Sequence, residues 1–263
     1  MLLPGSTVLL TGATGGIGRA VAAELTSCGA SLLLSGPDAA ELEALAGDFT
    51  ARTHTADLAD PAQVVRLAQA AAGADVLVAC SGLPAFGDLL EYTPEQLDRS
   101  LAVNLRAPML LARLLAPSML AAGRGHLVFV GSISGKTAHP GASLYNAAKF
   151  GLRGFALGLR QDLHGSGVGV SVVQPAAVAG AGMFAVSGAA APGLVRTVSP
   201  ARVAAAVVQA VERDRAELTV APIELRLLLA VAGQFPGFAE RVQRRTGAAR
   251  SFEQLAEAHR ATR

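Results

Sequence analysis

The chain has 263 residues, of which 51% are hydrophobic, and its 22 basic and 20 acidic residues leave a net charge of +2. This length fits one large α/β domain or two small ones, and the apolar content supports a sizeable core. Acids and bases are interleaved without a run of like charge, which argues against a nucleic-acid surface. The two cysteines, Cys28 and Cys80, have neither metal-ligand spacing nor the number needed for a disulfide framework, so we expect no metal site.

The N-terminal stretch Met1–Ser6 lacks the basic region and long apolar core of a signal peptide. Leu225–Ala232 is apolar, but it is too short to span a bilayer and Arg226 interrupts it. We therefore expect a soluble, cytoplasmic protein with a small-molecule substrate and without a nucleic-acid or membrane partner.

The first predicted element is a short buried strand, Thr7–Leu10, which runs directly into a glycine-rich turn, Thr11–Gly18, and then into a helical pattern at Ala20–Leu25. Glycines let the backbone approach a pyrophosphate, and the helix N-terminus offers free N–H groups. A glycine-rich turn alone is a weak signal, but its place between strand and helix strengthens it. We predict that this turn binds a dinucleotide through Gly12, Thr14, Gly15, Gly16, Ile17, Gly18 and Arg19.

The second predicted strand, Ser31–Leu34, ends in Ser35-Gly36-Pro37-Asp38. Dinucleotide sites usually place the residue that reads the ribose at the end of this strand, and a carboxylate there repels the 2′-phosphate of NADP. No carboxylate stands at position 35 or 36, so we favour NADP(H) over NAD(H), with Ser35 and Arg19 as candidate phosphate contacts. Asp38 would oppose this preference if the loop folded back.

The elements that follow alternate strands with helices. Polar or small residues come just after several strands: Gly12, Ser81 with Gly82, Ser132 and Pro175. Such alternation predicts a doubly wound parallel α/β sheet with helices on both faces, a three-layer α/β/α domain that spans residues 1–263. Ligands in such sheets bind beyond the carboxyl ends of the strands. The further predicted strands are Thr53–Thr55, Asp75–Ala79, Gly125–Val130, Val168–Val173 and Leu218–Val220, and the further predicted helices include Leu97–Leu120 and Tyr145–Leu163.

Tyr145 and Lys149 are four residues apart, a spacing that places both side chains on one face of a helix. Tyr145 is one of only two tyrosines in the chain, and Lys149 is one of only two lysines, since the other Lys or Arg positions are all arginines. A nearby ammonium favours the phenolate, and such a pair can move a proton to or from an alcohol or carbonyl oxygen. Asn104 is a further candidate, because asparagine is unfavourable in the middle of a helix.

With these residues in hand, the chain resembles the short-chain dehydrogenase/reductase family in its compact, Rossmann-like, single-domain form. The resemblance implies an NAD(P)(H)-dependent oxidoreductase that interconverts a carbonyl and a secondary alcohol. It rests on the glycine motif Thr11–Gly18, an adenine-contacting pair and a catalytic tetrad. The pair is Asp57 with Leu58, and the tetrad is Asn104, Ser132, Tyr145 and Lys149.

The resemblance also implies a role for each residue of the tetrad. Tyr145 would transfer the proton, Ser132 would hold the substrate oxygen, and Lys149 would lower the pKa of Tyr145 and bind the nicotinamide ribose. Asn104 would hold a water that links Lys149 to solvent. Ser134 is the weaker candidate for the catalytic serine.

The chain departs from the family's pattern at two strand ends. After the fourth strand both common asparagines are missing from Ala79-Cys80-Ser81-Gly82, and Pro175 is followed by Ala176 instead of glycine. Gly180 stands roughly where the family has a threonine that contacts the nicotinamide. Cofactor anchoring near Pro175 and Val178 is therefore the least certain part of the resemblance.

Residues 176–198 predict a substrate loop, and residues 221–263 a C-terminal helical extension. The uncharged side chains Val178, Met183, Phe184 and Val186 favour a hydrophobic substrate. The family also implies a homodimer or homotetramer packed through the helices at Leu97–Leu120 and Tyr145–Leu163. Two alternatives stay open: a dinucleotide-binding regulator or sensor without turnover, and an enzyme like the sugar-nucleotide epimerases and dehydratases.

Overall fold

The computed structural model describes residues 3–182 and 197–246, together with Leu255 and Glu257. Its strands are β1 Thr7–Thr11, β2 Ser31–Gly36, β3 Arg52–Thr55, β4 Val76–Ala79, β5 Gly125–Val130, β6 Val168–Pro175 and β7 Glu217–Val220. Its helices are α1 Gly16–Ser27, α2 Ala39–Phe49, α3 Pro61–Ala70, α4 Pro94–Leu101, α5 Ala107–Ala122, α6 Ser143–Asp162, α7 Pro200–Glu212, α8 Ile223–Ala232 and α9 Pro236–Thr246.

All seven strands form one parallel sheet with the order β3-β2-β1-β4-β5-β6-β7. The chain builds outward from β1 to β3 and then returns to place β4 on the other side of β1. The carboxyl ends of β1 and β4 therefore lie side by side where the order reverses. Open α/β sheets bind their ligands at this point, so the topology sets the location of the candidate site.

Alternate residues of the central strands point to opposite faces of the sheet. Val8 and Leu10 pack with helices α1, α2 and α7 on one face, whereas Leu9 packs with α3, α5 and α6 on the other. Both faces are fully covered, which is the reason that these strands are almost continuously apolar. The predicted three-layer α/β/α architecture is confirmed.

The three helix starts that the sequence marks with an N-cap followed by proline are present in the structure. Thr93 and Gln96 form a reciprocal capping box at α4, and Ser199 accepts a hydrogen bond from the N–H of Arg202 at α7. At α3 the pattern differs, because Gln63 Oε1 accepts from the N–H of Asp57 and not from that of the N-cap residue, Asp60. This glutamine therefore fixes the loop after β3.

The long helical pattern that we predicted over Leu97–Leu120 is interrupted by a π-helical segment, Ala102–Arg106, between α4 and α5. The whole stretch Pro94–Ala122 is long and apolar enough to cross a membrane by length and composition alone. Its apolar residues Leu111, Leu115 and Met119 are buried against the sheet, as in the core helix of a soluble protein.

The structure describes only part of two predicted regions, the C-terminal extension and the substrate loop. Helices α8 and α9 occupy residues 223–246 of the C-terminal extension. Of the predicted substrate loop, Met183, Phe184 and Val186 lie outside the described residues.

Candidate active site

The glycine-rich turn is shaped by three glycines for which a larger residue has no room. Gly12 has a φ of +67°, and a Cβ on it would approach the backbone of Ser81 to 2.8 Å. A Cβ on Gly18 would collide with the carbonyl oxygen of Gly12, and one on Gly16 would lie 2.6 Å from that of Ala181. The backbone of the turn thus lies in direct contact with the start of α1 and with the segment that follows β4.

Helix α1 begins directly after this turn. Its N-cap is Gly15, which makes no side-chain cap, and its first turn contains no acidic residue. Gly15 and Gly16 are exposed, so the first N–H groups of the helix and its positive dipole end face outward. These features fit a dinucleotide pyrophosphate, which would supply the missing acceptors.

The end of β2 differs in detail from the expectation. Ser35 is 1% exposed and its hydroxyl has no partner among the described residues, so it lies within the sheet and not on the ribose side. Asp38 is turned away, because its carboxylate caps α2 by accepting from the N–H of Glu41 at 2.9 Å. Instead, a Cβ built on Gly36 would lie 3.5 Å from Thr14 Oγ1, which places the threonine hydroxyl at this strand end.

Arg19 is tied to the same turn. Its Nε donates to the carbonyl oxygen of Thr14 at 2.9 Å, which fixes the guanidinium beside the glycine-rich turn. Arg19 is exposed and makes no ion pair with any acid among the described residues. A free guanidinium in this place can bind a phosphate.

Asp57 and Leu58 follow β3 at the carboxyl edge of the sheet. Asp57 Oδ1 accepts from the N–H of Ala59 at 2.9 Å, and Oδ2 pairs with Arg99 Nη1 at 3.0 Å. Leu58 is buried in the core. The carboxylate of Asp57 is thus held in one orientation at the rim of the cofactor side of the crevice.

Asn104 lies in the π-helical segment and is fully buried. Its Nδ2 donates to the carbonyl oxygens of Leu83 at 3.0 Å and Ser100 at 3.1 Å, and its Oδ1 accepts from the N–H of Leu83 at 3.2 Å. The Ser100 carbonyl, one helical turn before Asn104, thus accepts a hydrogen bond from the side chain. Both amide protons are used, and the expected water would need a different group of Asn104 to hold it.

Ser132 and Tyr145 come together at the carboxyl end of β5. The Ser132 side chain lies close enough to the Tyr145 hydroxyl to lower its pKa in part. Ser134, the weaker candidate, is buried, and its N–H donates to Ser132 Oγ at 3.1 Å. The structure therefore presents Ser132 to the tyrosine and uses Ser134 to fix it.

Lys149 lies one helical turn beyond Tyr145 on α6 and is 3% exposed. Its Nζ is 5.5 Å from the centroid of the tyrosine ring, and it donates to the carbonyl oxygen of Val130 at 3.4 Å. Burial lowers the pKa of Lys149 to about 8, although the nearby Cys80 raises it in part. The lysine remains mostly charged at neutral pH.

The expected effect of Lys149 on the tyrosine does not dominate in this structure. Burial raises the pKa of Tyr145 to about 12, and the hydrogen bond with Ser132 lowers it only in part. Desolvation opposes the phenolate more strongly than the neighbouring groups favour it. In this environment the Tyr145 hydroxyl keeps its proton at neutral pH.

The surroundings of Tyr145 are apolar. Its ring packs against that of Phe86 with centroids 4.9 Å apart. Ala142, Leu144 and Leu255 belong to the same buried cluster, and Leu255 comes from the C-terminal part of the chain. Sequence reasoning missed this wall, because no pattern connects position 86 or 255 with position 145.

Pro175 ends β6 at the same edge of the sheet. Val178 forms an isolated parallel bridge with Val198, and its side chain is buried in the core cluster beside Ala181. Its side chain therefore packs inward, so any contact with a cofactor falls to its backbone. Among the described residues there is no group of three His, Cys, Asp or Glu side chains that could hold a metal ion.

Comparison with known proteins agrees with this geometry. The family model described as short chain dehydrogenase matches residues 6–191. The chain belongs to the short-chain dehydrogenase/reductase family. It is thus an oxidoreductase of a family that binds a nicotinamide dinucleotide.

Relatives within the short-chain dehydrogenase/reductase family are similar over different spans. Ketoacyl reductase HetN of Nostoc sp. is 35% identical, and the match covers 92% of this chain and 89% of that protein. Glycine betaine reductase ATRR of Emericella nidulans is 34% identical over 66% of this chain but only 14% of its own length.

Two solved structures of the family are similar to this fold. A metagenomic short-chain oxidoreductase in complex with NADP has a TM-score of 0.73 and 33% identity, covering 84% of this chain and 99% of that one. A short-chain dehydrogenase from Sphingobium yanoikuyae in complex with NADPH has a TM-score of 0.78 and 26% identity, covering 89% of this chain and 95% of that one.

Proposed function

We propose that this oxidoreductase interconverts a carbonyl group and a secondary alcohol, with Tyr145 as the proton-transferring residue. The observation that carries the proposal is that Ser132 lies close enough to the Tyr145 hydroxyl to lower its pKa, with the Lys149 ammonium 5.5 Å from the tyrosine ring. A substrate oxygen placed between the two hydroxyls would accept from both. The bound nicotinamide supplies the hydride.

The electrostatics favour the reductive direction at neutral pH. A tyrosine with a pKa of about 12 keeps its proton and can donate it to a carbonyl oxygen. The alcohol-oxidising direction needs the phenolate, which becomes more abundant as the pH rises. Lys149 stabilises the phenolate once the proton has left, because the buried ammonium lies on the same face of α6.

We infer that NADP(H) is preferred over NAD(H). The carboxylate nearest the end of β2, Asp38, is committed to capping α2, so it does not repel a 2′-phosphate. Arg19 and Thr14 lie at the glycine-rich turn and can bind that phosphate. The pyrophosphate would lie on the N-terminus of α1, and the two similar structures bound to NADP or NADPH agree with this preference.

We also infer a hydrophobic substrate. The wall beside Tyr145 is built from Phe86, Ala142, Leu144 and Leu255, and it offers no charge to an anionic group. The relative named as a ketoacyl reductase supports an acyl-type ketone among the candidates. A soluble, cytoplasmic homodimer or homotetramer remains part of the proposal.

The test compares the two tyrosines of the chain. With NADPH and a panel of ketones and aldehydes, Tyr145→Phe should lose nearly all carbonyl reduction, at least about 100-fold, because the donated proton is gone. The fluorescence of bound NADPH should still report cofactor binding. Tyr92→Phe is the matched control, since the Tyr92 hydroxyl donates to the carbonyl oxygen of Phe86 at 3.0 Å and is no part of the proposed proton transfer.

The outcomes separate this function from the alternatives. Reduction by Tyr145→Phe at the wild-type rate contradicts the assignment of the proton donor. Cofactor binding without turnover on any carbonyl or alcohol favours a regulator, and conversion of a sugar nucleotide without net cofactor oxidation favours the epimerase-like alternative. A preference for small dicarboxylates over apolar ketones contradicts the inferred substrate class.

A further inference from the structure

A buried glutamine lies directly behind the candidate catalytic serine. Gln174 is the penultimate residue of β6 and is fully buried in an otherwise apolar strand end. Its Oε1 accepts from the backbone N–H of Ser132 at 3.1 Å, and its Nε2 donates to Glu217 Oε1 at 2.9 Å. A buried amide must satisfy its polar atoms, and this one does so between the serine and a carboxylate.

The carboxylate determines which way round the amide lies. An ionised carboxylate accepts hydrogen bonds but cannot donate one, so Glu217 must face the NH₂ group of Gln174. The amide oxygen is thereby directed to the N–H of Ser132, and the reverse orientation would place an amide donor against a backbone donor.

Glu217 itself is held by two cations. Arg153 Nε and Nη2 donate to its oxygens at 2.7 and 3.2 Å, and Lys136 Nζ lies 3.3 Å from Oε2. Burial raises the pKa of Glu217, but the hydrogen bonds from Arg153 and Gln174 and the charges of Lys136 and Arg153 outweigh it and leave the pKa at about 2. The carboxylate is therefore an acceptor at any working pH.

These partners connect the elements that carry the candidate tetrad. Arg153 lies one turn beyond Lys149 on α6, and Lys136 follows the short 3₁₀ turn that begins after Ser132. Lys136 is the other of the two lysines in the chain, and its Nζ also donates to Thr219 Oγ1 on β7 at 3.0 Å. The serine loop is thus anchored at both ends, by Gln174 and by Lys136.

The backbone leaves space for the glutamine. A Cβ on Gly131 would lie 2.9 Å from Gln174 Oε1, and one on Gly135 would lie 3.2 Å from it. The amide oxygen of Gln174 therefore comes close to the backbone at two positions of the serine loop, and both positions are glycines. Gly131, Gly135 and Gln174 fit one another as a unit.

We propose that Gln174, oriented by Glu217, is a positioning residue that holds the backbone of Ser132 so that the serine hydroxyl meets Tyr145. This inference rests on the proposed function for its effect on catalysis, whereas its effect on the serine loop does not. Misplacing a catalytic group by about 1 Å can reduce turnover by about 100-fold.

The first measurement is amide hydrogen exchange of a peptide that covers Val130–Lys136. Gln174→Met keeps the length and burial of the side chain but removes the acceptor, and it should speed exchange of this loop by about 10-fold or more. Ser171→Ala is the matched control, because Ser171 is a fully buried polar residue of the same strand that bonds to His126, far from the loop. The control should leave exchange of the loop unchanged.

The second measurement is a rescue that a merely structural role would not show. Gln174→Glu alone sets two carboxylates against each other and should expose the loop to exchange. The double change Gln174→Glu with Glu217→Gln restores one amide and one carboxylate in reversed places, and it should recover protection. Unchanged exchange in Gln174→Met, or a double variant no better than Gln174→Glu, overturns the proposal.

The third measurement is a double-mutant cycle on carbonyl reduction. Gln174→Met should lower kcat by about 10- to 100-fold with little change in KM, and it should add less than about 2-fold when Ser132 is already alanine. Full additivity would show that Gln174 does not act through Ser132. If the wild-type protein reduces no carbonyl, the proposed function fails, while the exchange experiments still decide whether Gln174 holds the loop.

Discussion

His126 offers a test of buried electrostatics far from the candidate active site. Its Nε2 lies 2.8 Å from Ser171 Oγ, and a Cβ on Gly169 would collide with both its ring and the carboxylate of Asp214. The three side chains thus resemble the Ser-His-Asp arrangement of hydrolases. Ser171 is fully buried and His126 is 1% exposed, so no substrate reaches them, and we expect their role to be structural.

The expected effect is a loss of stability in mild acid. Burial lowers the pKa of His126 to about 4 from its usual 6.5, although the charge of Asp214 raises it in part. The unfolded chain therefore takes up a proton below pH 6.5, while the folded protein resists it until about pH 4. As the pH falls from 7 to 5, this difference lowers the free energy of unfolding by about 2 kcal/mol.

Burial also lowers the pKa of His139 to about 4, so this histidine acts in the same pH window as His126. The shifted acids act in a different window. Glu217, with a folded pKa of about 2 against 4.5, contributes stability that is present above pH 4.5 and is lost only as the pH falls toward 2. The hydrogen bonds from Arg160 lower the pKa of Asp214, so its contribution is also lost below the range of the experiment. The interval from pH 7 to pH 5 thus isolates buried histidines.

The assay is urea unfolding at pH 7, 6 and 5 for the wild type, His126→Gln and His164→Gln. His126→Gln keeps a polar side chain near Ser171 but cannot be protonated, so its stability should depend less on pH by about 2 kcal/mol. His164 is exposed, and its replacement should leave the wild-type slope unchanged. An unchanged slope in His126→Gln would refute the reasoning.

Three further predictions concern the candidate site and its assembly. Lys149→Arg should lower carbonyl reduction by at least about 100-fold, measured as kcat, because the planar guanidinium does not fit a pocket built for a compact ammonium. Arg19→Gln should raise the Kd of NADPH by about 10-fold and leave that of NADH nearly unchanged, and a wild-type preference for NADH would contradict the inferred cofactor. Light scattering should report a dimer or tetramer at micromolar concentration, and a wild-type monomer would contradict the assembly. Gly154→Glu should shift the protein toward the monomer, since a Cβ on Gly154 meets no atom of the described residues within 4 Å.

The small residues of α6, the second helix of the predicted interface, illustrate what a helical pattern can and cannot predict. Ala147, Gly154 and Gly158 are exposed on α6, as an interface requires. Ala148 is fully buried, and Gly151 has the side chain of Leu105 3.0 Å from the place of its Cβ. The pattern predicts small residues on a helix, but the partner of each depends on the angle at which the helix lies on its own sheet.

The fold was predictable because its signals are local and repeated. Most of the strands are short apolar runs, the breaks carry glycines or capping residues, and right-handed crossovers leave few ways to connect parallel strands. The bounds of β5 are as predicted, and those of the other strands differ by one or two residues, with β2 continuing to Gly36 and β6 to Pro175. Helix spacing likewise predicted that Tyr145 and Lys149 share one face of a helix, whereas their grouping with Ser132 came from the family resemblance.

The details that sequence reasoning missed all depend on which side chain finds which partner. Asn104 lies in a π-helical segment, and its carboxamide bonds to Leu83 on another segment of the chain. Ser35 is at the predicted strand end, yet its hydroxyl lies in the sheet and not at the surface. Neither outcome could be predicted from the residues that flank Asn104 or Ser35 in the sequence.

Gln174 shows how such a residue can still be recognised. Polar residues in a buried parallel strand are costly unless they are paired, so a glutamine just before Pro175 already calls for a partner. In the sheet β6 lies between β5, which leads into Ser132, and β7, which begins with Glu217, so both partners of Gln174 belong to the neighbouring strands or to the loop that follows one of them. An unexplained buried polar residue beside a candidate catalytic loop is therefore better evidence for a positioning role than its residue type alone suggests.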